Sequence, residues 1–348
     1  MPAEPTVLAR TDGVMGRLTL NRPRSINALD LQMIGLIDAA LDAWQADPAV
    51  EVVVLDGAGG RGLCAGGDVR SLYDQIKAGR PDDTAVFFRA EYALNARIAE
   101  FPKPVVALAD GITMGGGIGL ASHAAIRVVT ERSVLAMPET RIGFTPDVGG
   151  TWLLGRAPGH LGEYLGVTGT TMDAADAIFA GFADHLVPAE SLDALRTALA
   201  AGGDPDAIVR GLARETGVSA LQTAQAWVDQ TFSADTVAEV AERLRAHPEP
   251  AASVAAHAMS ELAPTGMAVT FEAVRRARRL PDLRADLAQE YGLVMWFGHT
   301  QPDLVEGIRA QLVDKDRNPR WEPARLDAVT AETIAEAFAY TPAAPLWD

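Results

Sequence analysis

The segment PVVALADGITMGGGIGLA, residues 104–121, joins an apolar run to a cluster of glycines. An apolar run without polar alternation is typical of a strand that is covered on both faces. Four glycines stand within the five positions from Gly115 to Gly119, and a helical pattern of small residues follows. Because glycine lacks a Cβ, a ligand can approach the backbone closely there, and the amides that open a helix have no partner within it. The segment therefore predicts a buried strand followed by a cradle for an anion or an oxyanion.

The same glycines are also compatible with a purely structural turn that needs small residues for packing. A dinucleotide fingerprint is poorly supported, because no third glycine stands at the required offset from Gly117 and Gly119. A P-loop is excluded, because no Gly-Lys-Ser/Thr sequence follows. The residues alone leave two interpretations open, the structural turn and the anion cradle.

Composition excludes several classes of protein. The chain has 348 residues, enough for one large domain or two, and a formal net charge of −16 at pH 7. Such an acidic chain is not expected to bind nucleic acid or an anionic membrane surface. Its single cysteine, Cys64, excludes an internal disulfide framework, and no apolar run approaches the length of a membrane span. We expect a soluble cytoplasmic protein.

Strand and helix patterns alternate over the first 201 residues. A hairpin is predicted around Thr11-Asp12-Gly13, then a helix that begins after Asp30, then a short strand at residues 52–55. A second glycine-rich loop, residues 57–68, leads into another predicted helix. Since ligands gather at the carboxyl ends of such strands, both glycine-rich loops are candidate ligand loops.

The character of the sequence changes at Gly202. From there on, alanine-rich segments of mixed charge predict a succession of helices. We therefore expect an α/β core at residues 1–201 and an appended helical region at residues 202–348.

Four segments, NRPRSINALD, GLCAGGDVR, KPVVALADGITMGGGIGLA and MPETRIGFTPDVGGTWLLGR, resemble the crotonase, or enoyl-CoA hydratase/isomerase, superfamily in order and spacing. FFRAEY, PDVGG and EGIRAQLVDKDRNPRWEP are similar to its 3-hydroxyisobutyryl-CoA hydrolase subgroup, so the likeness covers nearly the whole chain. The resemblance implies a crotonase-like fold, a superhelix of ββα units, with helices appended at its C-terminal end. It also implies hydrolysis of a short-chain 3-hydroxyacyl-CoA thioester, with 3-hydroxyisobutyryl-CoA of valine catabolism as the expected substrate.

Enzymes of the superfamily polarise the thioester carbonyl with two backbone amides. The resemblance assigns these amides to Ala65 and Gly116, each in a glycine-rich loop at a predicted helix start. It also implies substrate contacts from five further residues: Glu91, Gly66, Gly67, Asp68 and Gly115. Arg24 is the candidate that the resemblance offers for a CoA phosphate.

One departure from the family pattern bears on the reaction. Hydratases of the family place one glutamate on the helix after the triple glycine and a second in a Pro-Glu turn. The first position aligns with Gly119, which has no side chain to move a proton, and the second is present as Glu139. Loss of an acid–base partner lowers a rate roughly a hundred- to ten-thousandfold. The resemblance therefore disfavours hydration of a double bond.

The hydrolase subgroup instead pairs the glutamate of the Pro-Glu turn with the aspartate of PDVGG, here Glu139 and Asp147. Two carboxylates brought together raise the pKa of one of them. Our hypothesis is that Glu139 attacks the thioester or activates water, while Asp147 binds the substrate hydroxyl or assists proton transfer. From the residues alone, Glu139 would be a turn residue paired with Arg141, and Asp147 would be a helix cap.

Other catalytic patterns are not found in the sequence. The six histidines form no His-Glu-x-x-His motif, no Gly-x-Ser-x-Gly elbow occurs, and no feature activates Cys64. We therefore expect neither a metal nor a cofactor, CoA being part of the substrate. Two alternatives stay open, an enoyl-CoA hydratase or isomerase and a non-catalytic acyl-CoA-binding protein. The resemblance also allows a homo-oligomer.

Overall fold

The structure, a computed structural model, describes residues 4–347 in two compact units. The first unit comprises residues 4–67, 90–136 and 171–220, and the second comprises 68–89, 137–170 and 221–347. This division differs from the predicted boundary at residue 201. The predicted boundary followed composition along the chain, whereas the units follow packing between segments that are distant in sequence.

The described residues contain nine strands: β1 (Val7–Asp12), β2 (Met15–Leu20), β3 (Val52–Gly57), β4 (Gly62–Cys64), β5 (Val105–Ala109), β6 (Ile112–Met114), β7 (Ile126–Val129), β8 (Val134–Ala136) and β9 (His185–Leu186). Within residues 4–347 there are sixteen α-helices: α1 (Leu31–Ala46), α2 (Val69–Lys77), α3 (Thr84–Glu100), α4 (Gly116–Ala121), α5 (Gly150–Arg156), α6 (Leu161–Thr168), α7 (Ala174–Phe179), α8 (Leu192–Ala201), α9 (Pro205–Leu212), α10 (Ala220–Phe232), α11 (Val237–Ala246), α12 (Pro250–Ser260), α13 (Pro264–Ala277), α14 (Leu283–Thr300), α15 (Pro302–Ile308) and α16 (Ala331–Ala339). None of the helices described is long and apolar enough to cross a membrane.

The first unit is built on a six-stranded sheet of order β1-β2-β3-β5-β7-β9. The predicted hairpin is confirmed, with β1 and β2 antiparallel, while the remaining pairs in this sheet are parallel. The predicted helix after Asp30 is α1, and the Asp30 side chain accepts a hydrogen bond from the Met33 N–H at 2.8 Å. The core of the unit joins the sheet to α8 and α9 through buried aliphatic side chains: Met15, Val52, Val54, Val106, Leu108, Ile126, Val128, Val187, Leu192, Leu195, Leu199 and Val209.

A second, three-stranded parallel sheet of order β4-β6-β8 also belongs to the first unit. The sequence did not predict β4 or β6, because each is three residues long and is stabilised by pairing with a distant strand rather than by local pattern. Since parallel strands end at the same edge of a sheet, the loop after β4 and the glycines after β6 emerge side by side.

The second unit is helical, and helices do fill the region after residue 220 as predicted. Its central helix, α13, packs against α5 and α6. Small residues permit this close packing, since a methyl group built on Gly155 would lie 3.2 Å from the Ala277 Cβ. One built on Gly166 would lie 3.0 Å from the Thr270 Cγ2.

Asn27 ties the loop before α1 to the loop before β4. It is completely buried and has a left-handed φ of 55°. Its Nδ2 donates to the carbonyl oxygens of Ala58, Gly62 and Leu63 at 3.0–3.2 Å, and its Oδ1 accepts from the Arg22 N–H at 2.9 Å. Asparagine suits this position because it tolerates the left-handed region and carries both donor and acceptor groups.

We expect Asn27→Ala to lower the free energy of unfolding by about 3 kcal/mol, because it strands several buried backbone groups. Equilibrium unfolding in urea would measure this change. Asn21→Ala is the matched control, since the hydrogen bond that Asn21 Nδ2 donates to the Pro5 carbonyl is exposed. Equal losses for the two variants would contradict the assigned role of Asn27.

Candidate active site

Two glycine-rich loops of the first unit meet around Gly116. As the first residue of α4, Gly116 has an N–H with no acceptor inside the helix. A methyl group built on Gly116 would lie 2.5 Å from Glu91 Oε1 and 3.3 Å from the Gly67 nitrogen. The backbone therefore approaches both neighbours so closely that only glycine fits.

The structure does not support Ala65 as an oxyanion donor. Its N–H donates to the Ile26 carbonyl at 2.9 Å, so it is already engaged. The strand β4 ends at Cys64, directly before Ala65, and the chain turns at Gly66, where φ is 111°. Among residues 4–347 nothing accepts a hydrogen bond from the Gly67 N–H, which faces Gly116. Gly67 and Gly116 thus supply two amides that are open to a ligand.

Four other predicted site residues of this unit lie on α3, in the two glycine-rich loops and in a 3-10 turn. Glu91 lies on α3, is buried and meets Gly116. The Gly115 N–H donates to the Ala136 carbonyl at 3.3 Å, and the Gly66 carbonyl accepts from Leu29 at 2.9 Å, so both glycines shape the loops. Arg24 is exposed in the 3-10 turn Pro23–Ser25.

Cys64 is unsuited to nucleophilic chemistry. Its side chain is completely buried, and burial raises the pKa of the thiol to about 12. A thiol rather than a thiolate is therefore present at neutral pH.

In the second unit, Glu139 and Asp147 are both buried, each with 7% of its surface exposed. Burial, and then the negative charge of Asp147, raise the pKa of Glu139 well above its ordinary range. Among the described residues, none donates a hydrogen bond to Glu139 Oε2. The charge of Asp147 thus acts on Glu139, and Glu139 Oε2 is a buried oxygen for which a substrate or water could be a partner.

The loop between Glu139 and Asp147 is anchored by its aromatic residue. The Phe144 ring lies 6.2 Å from that of Phe88 and 5.5 Å from that of Phe297, measured between ring centroids. Gly149, not Asp147, is the N-cap of α5, so the alternative of a helix-capping Asp147 is not found.

Sequence reasoning missed a buried polar cluster in this unit, formed by Thr151 of α5 with Asp286 and Glu290 of α14. Thr151 Oγ1 lies 2.7 Å from Glu290 Oε1 and 3.0 Å from Asp286 Oδ2. Burial raises the pKa of Asp286 to about 6, and burial together with the Asp286 charge raises the pKa of Glu290. The available signal was two acids four residues apart within an apolar helical pattern, since that spacing places both on one helix face.

Each unit offers one kind of chemistry. The amides of Gly67 and Gly116 can stabilise an oxygen that becomes negatively charged. A buried carboxyl group with a raised pKa, such as that of Glu139, can act as a nucleophile or as a general base near neutral pH.

Comparisons with known proteins agree over nearly the whole chain. The 3-hydroxyisobutyryl-CoA hydrolase, mitochondrial, of Mus musculus is 40% identical over 95% of this chain and 88% of its own length. The Homo sapiens protein of the same name is 38% identical over the same shares. A probable 3-hydroxyisobutyryl-CoA hydrolase 3 of Arabidopsis thaliana is 36% identical over 97% of this chain and 92% of its own.

Solved structures carry other names. A carnitinyl-CoA dehydratase from Mycobacterium thermoresistibile superposes with a TM-score of 0.94 at 45% identity, covering 99% of this chain and 98% of its own. An enoyl-CoA hydratase from Rhodobacter sphaeroides has a TM-score of 0.90 at 43% identity, with shares of 97% and 98%. Both confirm the predicted crotonase-like fold. The model of the enoyl-CoA hydratase/isomerase family matches residues 15–338, and the chain belongs to that family.

Proposed function

We propose that this protein hydrolyses the thioester bond of a short-chain 3-hydroxyacyl-CoA, with 3-hydroxyisobutyryl-CoA as its substrate. The products would be 3-hydroxyisobutyrate and free CoA, a step of valine catabolism. The observation that carries this proposal is the carboxyl group of Glu139, which is buried, has a raised pKa and keeps one oxygen without a partner. The hydrolase names of relatives that cover 95% of the chain support the substrate class.

In this proposal the N–H groups of Gly67 and Gly116 hold the thioester oxygen as it becomes negatively charged. Glu139 either attacks the carbonyl carbon or takes a proton from an attacking water. In the covalent route an oxygen of Glu139 bonds to the acyl carbon, the carbon–sulfur bond breaks, and CoA leaves as a thiolate that then takes a proton. Water cleaves the resulting anhydride and restores Glu139. Asp147 binds the substrate hydroxyl or assists the proton transfers.

Acyl trapping separates the two routes. Capture of an acyl group on Glu139 during a single turnover, or transfer of labelled oxygen from water to Glu139, would identify the covalent route. In the general-base route we expect no acyl group and no labelled oxygen on Glu139. All the label should then be in the product acid.

A hydratase is the second candidate function, because the two solved structures with TM-scores of at least 0.90 are named as a dehydratase and a hydratase. Gly119 weighs against it. Hydration adds a proton to one carbon and a hydroxyl to the next, and the position aligned with the second family glutamate has no side chain here.

The proposal also includes the other predicted substrate contacts. Glu91, Gly66, Asp68 and Gly115 would line the substrate, and Arg24 would meet a CoA phosphate. Operation without a cofactor, a cytoplasmic location and assembly into a homo-oligomer stay predictions.

The first prediction of this proposal concerns the reaction. We expect thiol release from 3-hydroxyisobutyryl-CoA with negligible hydration of crotonyl-CoA on the same preparation. Glu139→Gln should lower thiol release roughly a hundred- to ten-thousandfold while CoA binding persists, because the amide neither attacks nor takes a proton.

The matched control is Glu163→Gln. Glu163 is a buried glutamate of the same unit whose carboxylate bonds Arg278 at 2.6 Å. Hydration without thiol release, or an unimpaired Glu139→Gln, would refute the proposed reaction.

The second prediction concerns pH. Activity should rise with pH as Glu139 loses its proton, and the rise should lie above the pKa of about 4.3 of an ordinary glutamate. Asp147→Asn removes a negative charge that raises the pKa of Glu139, so the rise should move to lower pH. A plot of log kcat against pH for the two proteins measures the shift. A shift to higher pH would show that the two carboxyl groups do not repel.

The third prediction concerns the amide pair. In Gly116→Ala the new methyl group would displace Glu91 and crowd the Gly67 nitrogen, so kcat should fall by about a hundredfold or more. Gly35→Ala is the control, since no atom lies within 4 Å of its added methyl group on α1. We expect it to keep full activity and to gain about 0.5–1 kcal/mol in free energy of unfolding. Full activity in Gly116→Ala would exclude this amide from the site.

A further inference from the structure

The turn that carries Asp147 has a backbone conformation that needs support. Val148 has a φ of 57°, a value that β-branched residues rarely adopt, and Gly149 follows with a φ of 77°. A residue in such a region persists only where the surrounding structure holds it there.

Glu290 of α14 supports this turn from outside it, in addition to the bond within the turn from the Gly150 N–H to the Asp147 carbonyl. Its Oε2 accepts from the Gly149 N–H at 2.6 Å, and its Oε1 accepts from the Thr151 N–H at 2.8 Å. Thr151 Oγ1 adds a third contact at 2.7 Å. One fully buried carboxyl group thus bridges two amides on either side of Gly150. A buried carboxyl group needs hydrogen-bond partners on both of its oxygens, and the two backbone amides supply one to each.

We propose that Glu290 is a positioning residue for the reaction, which fixes the left-handed turn at Val148 through the amides of Gly149 and Thr151 and so directs the Asp147 carboxylate. Glu290 acts through the turn and not on the substrate. This inference rests on the proposed role of Asp147.

Asp286 is a neighbour with a different contact. It lies on the same helix and meets the Thr151 side chain, at the start of α5 rather than at the turn. Asp286→Asn keeps the size and polarity of the aspartate side chain, so it tests whether any polar change in the cluster disturbs the turn.

Kinetics of Glu290→Gln test the proposal. Glutamine keeps one acceptor oxygen for one amide but turns its own NH₂ group toward the other, so the bridge is lost. We expect kcat for thiol release to fall about ten- to hundredfold, as for a catalytic group displaced by about 1 Å, while KM stays within about twofold. Glu290→Leu, which removes both acceptors, should lose more. If the leucine variant fails to fold, the glutamine variant decides.

Two controls separate positioning from general loss of stability. Glu163→Gln removes another buried carboxylate of the second unit, one that bonds arginine rather than loop amides. We expect it and Asp286→Asn to keep kcat within about twofold of the unaltered protein, whatever their melting temperatures. Equal losses of kcat in Glu163→Gln and Glu290→Gln would overturn the proposal.

Hydrogen–deuterium exchange of the peptide covering residues 145–152 gives a readout that needs no activity. The Gly149 and Thr151 amides should exchange at least about tenfold faster in Glu290→Gln than in the unaltered protein or in Glu163→Gln. Unchanged exchange of these two amides would overturn the proposed role of Glu290. If the amides exchange faster in Glu290→Gln but the unaltered protein hydrolyses no 3-hydroxyacyl-CoA, Glu290 still holds the turn. The proposed function would then be refuted.

Discussion

The absence of a side chain at residue 116 is the constraint on which the first unit depends. Glu91 Oε1, the Gly67 nitrogen and the Leu29 side chain all lie within 3.3 Å of the place where a Cβ would be. The two glycine-rich loops can approach each other only because residue 116 has no side chain to fill this space. The parallel strands β4 and β6 deliver both loops to one sheet edge, and Asn27 secures the loop that precedes β4. An arrangement of two open amides thus follows from strand pairing, one buried asparagine and one missing methyl group.

Much of this fold could be predicted from sequence where local signals are strong. The Asp30 cap and the apolar spacing that follows it specified α1, and the run after Pro104 specified β5. Short strands such as β4 carried no such signal, because three residues cannot show a period and their stability comes from pairing at a distance. The division into the two units likewise has no local signal in the sequence. Residues 137–170 pack with helices from the far end of the chain, and composition along the sequence does not record that packing.

The candidate site shows the same contrast at the level of single residues. Gly116 and Glu139 could be named because a triple glycine and a Pro-Glu turn fix their positions in the sequence. The sequence could not show that the Ala65 N–H is already bonded to the Ile26 carbonyl, because that contact joins two loops that are distant in sequence. Glu290 lies 139 residues from Thr151, and no local pattern connects the two.

The number of carboxyl groups that can carry protons bears on which reaction this family fold supports. Adding water across a double bond needs a proton delivered to one carbon and another removed from water, and two well-placed acids do this efficiently. Hydrolysis of a thioester needs fewer side chains that carry protons. Once the carbonyl oxygen is stabilised by backbone amides, a single nucleophile or base suffices, because the thiolate of CoA is a good leaving group. A chain with glycine at position 119 and a carboxyl group of raised pKa at Glu139 is therefore suited to hydrolysis. Relatives named as hydrolases and structures named as hydratases can share one backbone, because a fold does not by itself fix the reaction performed on it.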